Sequence, residues 1–183
     1  MPILGIIASS KLAVTSAFES IATATSTGSS TSLTFSSIPS TYRHLHIRGL
    51  AFGSGANVLQ TRFNGVTTSS YWRHGYYAQS TSNDIARSNA AETAIGLHAA
   101  SKGVNATYPM TVLIDIFDYA QTGKRKSLIS TQGSDLNNAG DSYLNITTGM
   151  WTGTAAITEI LFRLDSGTAF PNGSTFSLYG IKE

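Results

Sequence analysis

Apolar residues recur at every second position along much of this chain, and no other feature restricts its fold as strongly. In RHLHIRGLA, Leu45 and Ile47 face one way while His44, His46 and Arg48 face the other. In MTVLIDIFD, Met110, Val112, Ile114 and Ile116 make one stripe, with Thr111, Leu113, Asp115 and Phe117 opposite. In STFSLYGI, Phe176 and Leu178 alternate with Ser177 and Tyr179. A period of two is the mark of an extended strand with one face buried. The same reasoning predicts strands near 32–37, 57–63, 71–78, 92–98, 125–132, 142–148 and 155–164, with 18–25 able to form another. The connections SIPST, FGSGAN, FNGVT, QTGKRK, NNAGDS and DSGTAFPNG carry the Gly, Asn, Asp and Pro of turns. Helical periodicity is weak, and its best stretch, NDIARSNAAETA (83–94), predicts a helical turn at most.

The expected class is therefore all-β. Eight to ten strands, joined by short turns and without a fixed repeat, predict a jelly-roll-like two-sheet β-sandwich. At 183 residues the chain suits one domain plus an arm, with residues 1–30 as the N-terminal arm and joint and 31–183 as the sandwich. Composition agrees. Charged residues are only 12%, about half the usual globular share, and Ser and Thr fill roughly a quarter of the chain. Such hydroxyl-rich sequences suit strands with polar outer faces.

Several function classes fall away at this stage. A net charge of +2 without clustered Lys and Arg gives no nucleic-acid footprint. No apolar run reaches the ~18–20 residues of a membrane-spanning helix. The chain has no cysteine, so disulfides and thiolate metal sites are excluded. His44, His46 and His74 are weighed as a zinc site, but as alternate strand residues they read better as outer-face polar groups. Asp115 and Asp118 are too differently directed for paired acid–base work, and Asp118 suits a turn. Asp135, Asn137 and Asp141 lack the spacing and closing Glu of a helix-loop-helix calcium loop. Asn105, Asn145 and Asn172 open Asn-x-Ser/Thr triplets, read as products of Ser/Thr richness. The basic run GKRK (123–126) sits at an expected hairpin tip, either solvated or meeting an acidic neighbour subunit. No catalytic, cofactor-binding or metal residues are expected.

Two stretches suggest contact rather than chemistry. SYWRHGYYAQS gathers Tyr71, Trp72, Tyr76 and Tyr77 around Arg73 and His74. Such rings serve subunit contacts or stack on sugars, and alternation should bury one of Tyr71 and Trp72 while exposing the other. The chain opens with MPILGIIASS, whose Ile3, Leu4, Ile6 and Ile7 are apolar. An export signal would need a charged n-region and a longer apolar core. A core strand is disfavoured by adjacent Ile6 and Ile7. An assembly arm, with these four residues as anchors, fits best.

The ordered set SIPSTYRHLHIRG, RFNGVTTSSYWRH, DIFDYAQTGKRKS, MWTGTAAITEILFRL and STFSLYGIKE resembles a family of tailed-bacteriophage virion structural proteins, over residues 31–183. LGIIASS (4–10) is similar to that family's short arm. The resemblance implies a jelly-roll-like module that works by assembly, commonly as a trimer, without catalytic residues or cofactors. The function expected from it is a capsid cement or decoration protein on the outer surface of a phage particle. Its partners would be the major capsid protein or other virion subunits. The alternative is a tail-fibre-tip or receptor-binding module that recognises host-surface glycan.

Overall fold

The computed structural model describes residues 17–53, 57–79, 82–97, 107–135 and 142–182. These form twelve strands: β1 (Phe18–Thr25), β2 (Ser32–Phe35), β3 (His44–Ala51), β4 (Leu59–Phe63), β5 (Tyr71–Gln79), β6 (Ser82–Glu92), β7 (Ile95–Gly96), β8 (Met110–Phe117), β9 (Lys126–Ser134), β10 (Tyr143–Trp151), β11 (Ile160–Leu164) and β12 (Thr175–Ile181). They build one eight-stranded sheet, ordered β1-β12-β3-β8-β9-β10-β5-β6, and one four-stranded sheet, ordered β2-β11-β4-β7. The protein is a two-sheet antiparallel β-sandwich.

The strand order explains the jelly roll. Four antiparallel pairs nest inside one another: β1 with β12, β2 with β11, β3 with β8, and β4 with β7. The chain is thus one long hairpin rolled up so that successive pairs fall in opposite sheets. Two further hairpins interrupt that plan. β5–β6 is inserted between β4 and β7, and β9–β10 between β8 and β11. They join each other through β10 and β5, and they join the roll through β8 and β9. These insertions turn a four-stranded face into one twice as wide, and they raise the strand number above the eight to ten expected.

Two sequence expectations are corrected. β1 pairs with β12 along its length, so the stretch 18–25, read as able to form a strand, is part of the sheet, and the boundary drawn at residue 30 falls inside the sandwich. Residues 82–92 are the strand β6, not a helical turn, because their backbone is taken up by pairing with β5.

The core lies between the sheets. Leu45 and Ile47 from β3, Val112, Ile114 and Ile116 from β8, and Leu178 from β12 meet Phe35, Leu59, Ile160 and Phe162 from the smaller sheet. Phe176 stacks on Phe162 across the two sheets, with ring centroids 4.4 Å apart and planes within 10°. Gly49, its ladder neighbour on β3, makes room for that ring, since a Cβ there would lie 2.4 Å from it.

Beneath the inserted hairpins the interior is partly polar. Asn145 and Thr147 are fully buried and donate to the Leu97 carbonyl at 2.8 and 3.3 Å. The Asn145 amide also reaches Gln132 and the Thr147 hydroxyl. These side chains supply partners to backbone at the edge of the smaller sheet, which a buried carbonyl requires. Burial also removes Asn145 from the surface that any modification of its triplet would need. Tyr143, on the inner face of β10, has its phenol pushed up to about 12 by burial.

Lys126 departs from the sequence reading as well. Lys124 and Arg125 are exposed at the turn, but Lys126 is the first residue of β9 and shares the inward face with Leu128 and Ser130. Its ammonium donates to the carbonyls of Gln121, Lys124 and Thr154, fastening the turn to the start of the β10–β11 connection. Burial lowers its pKa, opposed by the nearby Asp118 carboxylate. Lys126→Met keeps the stem and removes the donors. It should destabilise the fold by about 2 kcal/mol in urea unfolding, because hydrogen bonds to charged groups are worth about 1.5–3 kcal/mol each and the three accepting residues, at an exposed turn, regain water in part. Arg125→Ala, at an exposed position, should stay within about 0.5 kcal/mol. Equal small losses in both would remove the fastening role.

Candidate functional site

The most distinctive surface is the outer face of the eight-stranded sheet. A jelly-roll strand shows its second side chain to solvent, and hydroxyl-rich strands were expected there. Instead, Leu113 and Phe117 on β8, Ile129 on β9, Leu144 and Ile146 on β10, and Trp72 and Tyr76 on β5 all project outward, each between 38% and 54% exposed.

The register places them in rows that cross the sheet. One row runs Phe18, Ile181, His44, Phe117, Ser127, Met150, Trp72 from β1 to β5. The next runs Tyr179, His46, Asp115, Ile129, Thr148, His74. The third runs Ser177, Arg48, Leu113, Thr131, Ile146, Tyr76. Apolar side chains therefore sit diagonally next to one another, separated by threonines and a serine. Between Phe117 and Trp72 the face dips into a shallow depression of about 510 Å³, floored by Ile129 and Met150. Contiguous exposed apolar surface of this kind marks a contact site.

The aromatic cluster divides as a period of two demands. Trp72 and Tyr76 reach the outer face, whereas Tyr71 and Tyr77 point inward and are buried. The Tyr71 hydroxyl accepts from the Phe63 amide at 3.0 Å and donates to the Val66 carbonyl at 3.1 Å, holding the β4–β5 connection. The structure thus removes Tyr71 and Tyr77 from the contact and ligand residues expected. Sequence reasoning did not single out Leu113, Phe117, Ile129 and Ile146 as surface contacts. The signal existed, since both stripes of MTVLIDIFD carry large apolar residues.

The polar candidates are tied to one another. Arg48 Nε donates to His46 Nε2 at 3.1 Å, so the proton of that imidazole sits on Nδ1, which donates to Asp115 Oδ1 at 2.6 Å. Both ring nitrogens are thereby used. His44 Nδ1 accepts the Asp118 amide at 3.1 Å. His74 shares a row with His46 but lies four strand spacings away, roughly 19 Å at ~4.8 Å per strand. The three histidines cannot converge on one metal, and no cluster of three or more His, Cys, Asp or Glu able to hold one occurs among the described residues.

Asp118 adopts a positive φ of 48° just past β8, and its carboxylate meets Arg43 at 2.9 Å and Lys124 at 3.5 Å. It belongs to a charged turn, while Asp115 faces outward from the strand. The two acids do not share a site. Asp135 is exposed and accepts from Ser142. Ile3, Leu4, Ile6 and Ile7, with His98, Asn105, Asn137 and Asp141, lie outside the described residues.

Comparison with family models, with curated proteins and with solved structures returned no match.

Proposed function

We propose that this chain is a structural protein of a tailed-bacteriophage particle, acting as a capsid cement or decoration protein on the outer surface and working by assembly rather than catalysis. The observation that carries this reading is the broad apolar outer face of the enlarged sheet. A decoration protein needs such non-covalent contact surface. The partners would be the major capsid protein or other virion subunits, with a homotrimer as the assembling unit. The sequence resemblance points the same way.

The alternative, a fibre-tip module that binds glycan, draws on the exposed rings of Trp72 and Tyr76. Sugar sites combine ring faces with converging polar groups. Around these two rings the neighbours are Met150, Ile146 and Thr148, with His74 between them as the one ionisable side chain of the outer face there among the described residues, and this mainly apolar setting favours a protein contact.

Electron microscopy of intact particles tests the proposal directly. Density for the sandwich on the shell is expected, and removal of residues 1–13 should cut its occupancy at least tenfold. Unchanged occupancy would defeat the arm's role. Saturable sugar binding that disappears with Trp72→Ala would move the function to the fibre-tip reading.

A further inference from the structure

We propose that the apolar segment Ile3–Ile7 docks on the outer face of its own sheet, in the depression between Phe117 and Trp72. The described chain begins at the edge strand β1 of that sheet. Lys182 donates its amide to the Ala17 carbonyl, so the ladder is still formed at residue 17. Phe18 then projects outward, its ring against His46 and Tyr179. Phe18 also opens the row that passes through Phe117 and Met150 and ends at Trp72. The arm and the depression therefore share one end of the same sheet.

Reach agrees with this placement. From β1, β8 is three strand spacings away and β5 six, or roughly 14 and 29 Å at ~4.8 Å each. Residues 8–16, when extended, span up to about 30 Å at ~3.3 Å per residue. They are short and polar for the most part (ASSKLAVTS), as a tether over a surface should be. Ile7 can then lie at Phe117 with slack, and residues 3–7 can fill the depression towards Trp72.

The chemistry also matches. The segment ILGII carries no charge, and the depression it would meet is lined mainly by Phe117, Ile129, Met150 and Trp72, with Ser127, Thr148 and His74 between them. Tethering makes the contact intramolecular, with an effective concentration on the millimolar order. A subunit held this way would cover both of its apolar surfaces until a partner competes for them. The contact belongs to the isolated chain, so it stands or falls independently of any role in a particle.

The absence of cysteine allows a clean test in the full chain. Ile6→Cys with Thr148→Cys, in the depression, should close a disulfide within one molecule at least tenfold faster than Ile6→Cys with Thr175→Cys, at the far end of the face. Equal rates would overturn the proposal. Cross-linked dimers in place of an internal disulfide would overturn it too, in favour of docking on a second copy. Iodide quenching gives a second readout, because Trp151 is buried and Trp72 is exposed. Ile6→Asp with Ile7→Asp should raise quenching of Trp72 about twofold in dilute solution. Unchanged quenching would also overturn it.

Discussion

Phe176→Ala is expected to remove about 3–5 kcal/mol of stability, the range for truncating a fully buried aromatic side chain. Phe176 has no solvent exposure and sits on β12, between β1 and β3 near the edge of the larger sheet. It stacks on Phe162 of β11 in the opposite sheet, and Phe170 meets it edge-on at 6.2 Å. Gly49 leaves it a slot with no Cβ to collapse inward, so truncation opens a cavity that the neighbouring backbone cannot fill. Domains of ordinary size have only about 5–15 kcal/mol in total, so the variant should unfold at much lower urea. Phe176→Leu, which keeps most of the volume, should lose clearly less. A loss below about 1 kcal/mol for Phe176→Ala would mean that the sheets are not clamped at this stack.

How much of this could be read from the sequence depends on where each side chain's partner lies. β3, β8 and β12 were legible because the alternation is clean, with one face buried throughout β8 and β12 and, in β3, at every inward position but Gly49. β1 was legible only as a stretch able to form a strand, because at the sheet edge FESIATAT is exposed or half-buried on both faces and carries no buried stripe to separate it from a joint. β6 was misread because its alanines and polar residues have no strand periodicity of their own. Its extended state comes from pairing with β5, which no local window contains.

The site followed the same logic. Alternation required Tyr71 and Trp72 to face opposite ways, but only the fold decides that Tyr71 is the inner one. Lys126 could have been placed inside by counting back two positions at a time from Leu128, had the run GKRK not been taken as a solvated tip. The apolar outer face was visible in outline, since Leu113 and Phe117 oppose the core stripe of β8. What the sequence could not supply was the register that sets them beside Ile129, Ile146 and Trp72, which depends on the inserted β9–β10 hairpin joining β8 to β5.

Ile129→Asp together with Ile146→Asp should leave the fold intact and abolish contacts made through the outer face. Both side chains are about 40% exposed, 38% and 43%, so neither closes the core. Surface changes of this kind usually move stability by no more than about 0.5 kcal/mol each. They lie on adjacent strands, with Ile129 opposite Thr148 and Ile146 opposite Thr131, so the pair sets two carboxylates at the centre of the apolar face. Any protein surface covering that centre would have to desolvate both without a partner, at a cost above the roughly 1–3 kcal/mol apiece of a neutral polar group. At 1.4 kcal/mol per tenfold, this weakens binding by a factor of at least about 30. The effect is read as retention on purified particles, with circular dichroism and urea melts as the check on folding. Glycan stacking on Trp72 and Tyr76 would not require that centre to be dry, so the same variant would spare a sugar-binding function. Full retention of the doubly charged protein on particles would remove the outer face from assembly and leave the arm as the whole attachment.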